Sequence, residues 1–304
     1  MISLIVCTYN RDAYIYNTLE CIAENDFPAD EYEIVVVNNN CTDNTQSECN
    51  RFRAKFPNVN YINVVEEAQG LSFARNRGIR ESHGDCIVFI DDDAYIEPDY
   101  LRNLNLVLSE YPQMMAFGGK IIPLYETGYE PEWMSPRLVP IVSAIDLGRA
   151  IIPFKGNSYP IGANMGFRKS CLESVGEFNT TLGRSKKNMI GGEEKDMFER
   201  VRQLNMVILY IPQLVAQHVI PATRTTLDNL KRMAYGVGAS EKIRCNGAVG
   251  KYICSLGKEL WKWAGSFVLW AQYLILGKGK KAQAIMLFRW NVSKGLLTYK
   301  IQDK

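Results

Sequence analysis

Three carboxylates, Asp91, Asp92 and Asp93, follow directly on the apolar run DCIVFI (85–90). Like charges crowded at the end of a buried strand repel one another. A hard divalent cation, Mn²⁺ or Mg²⁺, relieves that repulsion most simply through oxygen ligands, and it keeps positions open for a phosphate. The triplet also reads as a solvated acidic turn ahead of a helix that starts near Pro98, and by itself it does not separate the two. A second acidic group, GGEEKD (191–196), sets Glu193, Glu194 and Asp196 at a helix start, where negative charge is favoured for structural reasons alone. His218 follows the strand-like QLVAQ (213–217) and is either a packed histidine or a metal ligand. His83, just before Gly84, reads as a capping or surface residue.

The elements that would position these groups are visible as runs and breaks. ISLIVC (2–7), YEIVVV (32–37), NVNYINVV (58–65) and DCIVFI (85–90) are apolar runs with the length of strands. Their continuity, without strict alternation, points to strands covered on both faces. Helix-like segments separate them: about Arg11 to Glu24, then CTDNTQSECNRFRAKF with Thr42 or Asp43 as its N-cap, then GLSFARNRGIRESHG with Gly84 as its stop. Strands alternating with helices imply βαβ units, an α/β fold and a mostly parallel sheet. Ligands bind beyond the carboxyl ends of such strands. That rule brings Thr8-Tyr9-Asn10-Arg11, Asn38-Asn39-Asn40 and the aspartate triplet to one crevice.

The bulk numbers restrict the class further. The chain has 304 residues, 47% hydrophobic and 22% charged, which suits a globular protein of one large or two small domains. A net charge of +2 gives no global case for a nucleic-acid partner. Eight scattered cysteines without a CxxC pair read as buried, reduced thiols. MISLIVCTYNRD is not a signal peptide, so the expected compartment is the cytoplasm.

VCTYNR, EIVVVNNNCTDNT, GLSFARNRGI and FIDDDAYIEPDYL resemble the successive nucleotide-binding motifs of glycosyltransferase family 2. The resemblance continues through 162–184 and 191–205 and ends near HVIPATR (218–224). It implies the GT-A fold: a mixed, mostly parallel sheet flanked by helices, here with a C-terminal helical extension. The expected layout is a catalytic domain over 1–225, with a nucleotide-binding half (1–115) and an acceptor-binding half (116–225), then an extension over 226–304. The implied activity is metal-dependent, inverting, hexosyltransferase-type transfer from a nucleotide-diphosphate donor to an acceptor hydroxyl in bacterial surface-glycan assembly.

The same resemblance implies the roles. Asp93 and Asp91 match the DxD pair as metal ligands, with His218 completing the shell, while Asp91 or Asp92 also reaches the ribose. Thr8 and Tyr9 frame the base and ribose, with Arg11 beside them. Arg75 falls in the ARN motif as a cation for base or phosphates, its plain alternative being a helix-surface arginine. Asn76 would tie down the same helix. Asn38 stands where many relatives carry Asp, which weakens but does not remove a preference for UDP. Asn164, in GAN, is a sugar-binding candidate, and Arg224 a clamp on the diphosphate. Glu194 matches the general base, with Glu193 as its rival.

Two other classes remain on the sequence. A sugar-nucleotide nucleotidyltransferase should show a Gly-rich triphosphate loop near its first strand, and CTYNRDAYI has none. A non-catalytic sugar-binding or membrane-assembly subunit of the same fold would bind nucleotide without regard to metal. In the last third, the uncharged stretch from Trp263 to Leu276 is too short to span a bilayer. Trp261, Trp263, Trp270 and Trp290 with flanking lysines suit a segment lying at a membrane interface, as a lipid-linked saccharide acceptor would require. The alternative is a helical hairpin packed on the core or on another copy in a homo-oligomer.

Overall fold

The computed structural model describes residues 1–183, 191–245 and 247–300. Arg184, the last residue of the 162–184 motif, lies outside them, as do Asn246 and 301–304 of the C-terminal extension. In chain order the first part runs β1 (Ile2–Thr8), α1 (Ile15–Ala23), β2 (Tyr32–Asn38), α2 (Thr45–Lys55), β3 (Tyr61–Val65), α3 (Leu71–Glu81) and β4 (Cys86–Ile90). Then come β5 (Ala94–Ile96), α4 (Tyr100–Glu110), β6 (Met114–Tyr125), β7 (Ile152–Pro153), β8 (Asn164–Arg168), α5 (Lys169–Val175), α6 (Glu193–Gln203) and β9 (Val207–Ile220). Three helices end the chain: α7 (Leu227–Arg244), α8 (Val249–Ile275) and α9 (Gly279–Thr298).

The strands form one mixed, mostly parallel sheet in the order β3-β2-β1-β4-β8-β6-β9-β5, with β7 paired to β9. β3, β2, β1 and β4 are parallel neighbours. β8 runs antiparallel to both β4 and β6, so β6 points the same way as β4. The apolar runs are continuous because each strand feeds two cores. Leu4, Val6, Ile34, Val36, Val88 and Ile90 enter one, while Ile5, Val35, Val37, Ile87 and Phe89 enter the other. β3, at the sheet's edge, is only partly covered.

Local signals account for most turns, with two differences. The N-cap position of α2 is Asn44, and Asp43 serves one step earlier by accepting the Thr45 N–H at 3.0 Å. Gly84 is not the stop of α3, which ends at Glu81 with Ser82 as its C-cap. It is required by close approach, since a Cβ there would lie 2.6 Å from Ser3 Oγ and 2.8 Å from the Met1 carbonyl oxygen.

The chain divides into two compact units. The first, Met1–Leu124, Ser143–Thr180 and Glu193–Val219, holds the sheet and both cores. The second comprises the described residues of Tyr125–Val142, Thr181–Gly192 and Ile220–Lys304. There α7 and α9 touch backbone to backbone: a Cβ on Gly238 would strike the Val292 carbonyl oxygen, and one on Gly295 that of Tyr235. Thr226 caps α7, its hydroxyl accepting the Asn229 N–H at 3.2 Å. Among the described residues, no helix is long and apolar enough to cross a membrane. The eight cysteines are free thiols.

Candidate active site

Strand register builds the acidic centre. Thr8 pairs with Asn38 across β1 and β2, and β4 pairs with the other side of β1, so all three strands end at one edge of the sheet. Asn10 and Asn40, just past β1 and β2, turn the chain with φ of 54° and 63°, a region that Asn tolerates better than most residues. Beyond the aspartates the chain re-enters the sheet as β5, whose Ala94 pairs with His218 of β9. The Val219 N–H donates to the Asp93 carbonyl at 2.8 Å, which locks the two segments side by side. One ligand atom from each of Asp91, Asp93 and His218 therefore lies within 4.8 Å of the others.

The charges there are compensated in an ordered way. His218 Nε2 is 3.0 Å from Asp93 Oδ1, with both side chains buried. Arg11 approaches the other side, Nε 3.6 Å from Asp92 Oδ1 and Nη2 3.5 Å from Asp93 Oδ2. Burial pushes the Asp92 carboxyl up to about 7, Asp93 adds to the rise and Arg11 opposes it. For Arg11, burial acts to lower the pKa, but Asp92 and Asp93 outweigh it and the net shift is upward. Two carboxylates and one imidazole at this spacing fit a divalent cation. Asp91, Asp93 and His218 are the residues that would hold such an ion.

The second acidic group is gathered around Arg75. This side chain is buried and splits its fork: Nη1 lies 3.0 Å from Glu193 Oε1, and Nη2 lies 3.1 Å from Glu194 Oε1. The Gly162 N–H donates to the same Glu194 oxygen at 3.1 Å. Phe89 and Phe178 flank the guanidinium, its carbon 5.8 and 5.3 Å from their ring centres. Asn76 fixes Phe178 in turn, donating to its carbonyl at 2.9 Å and accepting its N–H at 2.8 Å. Glu193 is buried, whereas Glu194 is the more exposed of the pair. Asp196 forms an i,i+4 pair with Arg200 along α6.

The remaining candidates separate cleanly. Thr8 is buried at the strand end and Tyr9 half-buried after it. The Asn38 side-chain oxygen Oδ1 accepts the Cys41 N–H at 2.8 Å and the side-chain NH₂ donates to Gln46 at 3.0 Å, so one lone pair and one hydrogen of the side chain remain beyond these bonds. Asn164 lies inside the sheet, fully buried. It accepts the Tyr100 hydroxyl at 2.6 Å and gives its two amide hydrogens to Lys120 and Leu214 carbonyls, so the geometry makes it a strand tie rather than a crevice residue. Arg224 sits in the second unit, in the short turn Ala222–Thr225. His83 is a surface residue whose ring reaches Glu33. Gly162 was not singled out by sequence; its signal is the bare GAN tripeptide.

Residues 3–176, more than half the chain, match the model described as Glycosyl transferase family 2. The chain belongs to glycosyl transferase family 2. Among the family's relatives, the glucosyl-dolichyl phosphate glucuronosyltransferase of Haloferax volcanii is 25% identical over 248 residues, 80% of this chain and 76% of its own length. The poly(ribitol-phosphate) beta-N-acetylglucosaminyltransferase TarS of Staphylococcus aureus is 28% identical over 159 residues, 49% of this chain and 28% of its own length. Mannosyltransferase PcManGT from Pyrobaculum calidifontis, solved with GDP-Man and Mn²⁺, superposes with a TM-score of 0.65 at 18% identity, covering 98% of this chain and 88% of that one. S. aureus TarS 1–349, solved with UDP-GlcNAc, gives a TM-score of 0.54 at 16% identity, over 96% and 90%. These likenesses establish the GT-A glycosyltransferase fold for this family member.

Proposed function

We propose that this family 2 glycosyltransferase is metal-dependent and inverting. In this reading it moves a hexosyl-type sugar from a nucleotide diphosphate, UDP favoured, to an acceptor hydroxyl in bacterial surface-polysaccharide or glycan assembly. The observation that carries the reading is the convergence of Asp91, Asp93 and His218 within 4.8 Å at the carboxyl edge of the parallel strands. A divalent cation held there would bind the diphosphate and neutralise the charge that grows on it as it leaves. Thr8, Tyr9 and Asn38 frame the base and ribose, and Asp92 and Arg11 border the phosphates. Arg224 is kept as a diphosphate clamp by the family resemblance alone.

Glu194, the more exposed glutamate, is assigned as the general base. It takes the proton of the acceptor hydroxyl as that oxygen bonds to the anomeric carbon. The bond from that carbon to the diphosphate breaks on the opposite face, which inverts the centre. Arg75 and the Gly162 N–H orient the carboxylate, and buried Glu193 steadies Arg75. The name of the Haloferax relative, which acts on glucosyl-dolichyl phosphate, supports a lipid-linked saccharide as acceptor. A cytoplasmic protein peripheral on the inner membrane face, with no nucleic-acid partner, fits that substrate.

Calorimetric titration with UDP, GDP and dTDP, each with Mn²⁺ and with a chelator, tests the donor site. Binding of one nucleotide that needs the metal and disappears in Asp93→Ala is the predicted result. Binding indifferent to metal, without turnover, would replace this reading with a non-catalytic one.

A further inference from the structure

Helix α8 is packed the wrong way round for a helix in water. Of its residues, only Glu259 and Ser266 are buried. Both face α9, where Arg289 Nη1 donates to the two Glu259 carboxylate oxygens at 3.1 Å each and Arg289 Nε donates to Ser266 Oγ at 3.2 Å. Ser293 adds a bond to Glu259 at 3.1 Å, and the Trp263 indole donates to Ser293 at 2.9 Å. The two buried positions of α8 are thus polar, while Tyr252, Leu256, Trp263 and Leu269 are half-buried. Other apolar residues lie outside: Val249, Ile253, Leu260, Phe267 and Ile275 recur at helical spacing along one face and are between 52% and 86% exposed. Trp261 and Val268 extend the same ridge. A continuous exposed ridge of this kind marks a surface that is covered in use.

Charge decides what covers it. Residues 249–298 hold seven lysines and Arg289 against Glu259 alone, a net +7, whereas the whole chain is +2 and the remainder therefore −5. Lys280 and Lys281 pair with Glu132 and Glu130 and Lys262 lies 3.9 Å from Glu259, while Lys251, Lys258, Lys278 and Lys294 are exposed. Lys258 and Lys262 each stand two positions from Leu260, roughly 200° round the helix, on the side away from the ridge. Two copies meeting ridge to ridge would leave that surplus of positive charge without a partner. An anionic lipid surface takes up both features, the apolar ridge and the surplus of positive charge. An open groove of about 510 Å³ beside it, lined by Trp263, Trp270, Met286 and Trp290 among others, offers room for a hydrocarbon chain.

We infer that the α8–α9 hairpin docks the protein on an anionic lipid surface, the Leu260–Phe267–Ile275 ridge sunk into the headgroup boundary and the lysines held within the lipid field. Its use, access to a lipid-linked acceptor, rests on the proposed function; the docking itself does not. Flotation of the full chain with phosphatidylcholine vesicles, with and without phosphatidylglycerol, tests it. The chain should float with the anionic vesicles, less so as salt rises. Leu260→Glu with Phe267→Glu should weaken this at least ~10-fold, with nucleotide titration unchanged as proof of folding. Lys258→Glu with Lys262→Glu should weaken binding to the anionic vesicles alone. A chain that binds nucleotide yet stays in the aqueous layer with both vesicles overturns the inference. So does a dimer in light scattering that the Leu260 and Phe267 substitutions split. Flotation without nucleotide binding would sink the catalytic reading and leave the docking standing.

Discussion

Arg75 and Glu193, on α3 and α6, form an ion pair of 3.0 Å in which neither side chain is more than 4% exposed. The second arm of the same fork reaches Glu194 at 3.1 Å. Lysine has the charge but not the fork, so it can hold one glutamate and not both. Arg75→Lys should therefore lower transfer by about 100-fold while nucleotide affinity stays within about twofold. Calorimetry beside steady-state kinetics reads both. A fall in nucleotide affinity with turnover preserved would return Arg75 to the phosphate or base role that its motif implies. Arg75→Ala should be worse, destabilising the fold by about 3–5 kcal/mol because two carboxylates lose their common partner.

Gly162 follows from the same contact. A Cβ at this position would run into Arg75 Nη2 and Glu194 Oε1. Arg75 cannot retreat cheaply, since its guanidinium is held between Phe89 and Phe178, so the more exposed Glu194 must give way. Gly162→Ala should cost at least ~10-fold in turnover through displacement of Glu194. Metal-dependent nucleotide binding at Asp91 and Asp93 should survive. Equal losses of both would show that the substitution disturbs the sheet rather than the glutamates.

How much of this was legible in the sequence depended on range. β1, β2 and β4 were readable because their signal is local: continuous apolar runs that end in polar residues. The aspartates were placed correctly at the sheet edge by the parallel-strand rule. β5 was not readable, because three residues after an acidic turn carry no pattern and become a strand only through β9. That pairing is what turns His218 from an ambiguous histidine into a neighbour of Asp93. The Arg75 fork was hidden for the same reason: its partners are 118 and 119 positions away. Asn164 shows the opposite failure, a polar residue in a suggestive motif whose hydrogen bonds turn inward to the sheet. For the C-terminal segment, composition announced the tryptophans and lysines, but only packing revealed that α8 buries Glu259 and leaves its apolar ridge outside.

His218 gives a third test. If its imidazole completes the metal shell, His218→Ala should weaken Mn²⁺ binding at least ~10-fold. Mn²⁺ titration followed by electron paramagnetic resonance measures this without any sugar donor. Unchanged Mn²⁺ affinity would reduce His218 to a hydrogen-bond partner that orients Asp93.

The last prediction concerns stability against pH, at Glu33 in β2. Burial alone would raise its carboxyl pKa, but the Ser3 hydroxyl and the His83 N–H, each donating at 2.6 Å, and the His83 ring at 3.0 Å outweigh it, so the net shift is downward. A carboxylate with a depressed folded-state pKa stabilises the fold fully above its unfolded value, near 4.5, and loses that contribution as pH falls through the folded value. Glu33→Gln removes the titration while keeping the shape and one acceptor oxygen. The wild-type chain should melt roughly 2–4 °C higher than the variant at pH 7. The gap should close as the pH falls from 4.5 through the folded-state value. Parallel melting curves at every pH would mean that the charge on Glu33 adds nothing to the join between β1, β2 and the end of α3.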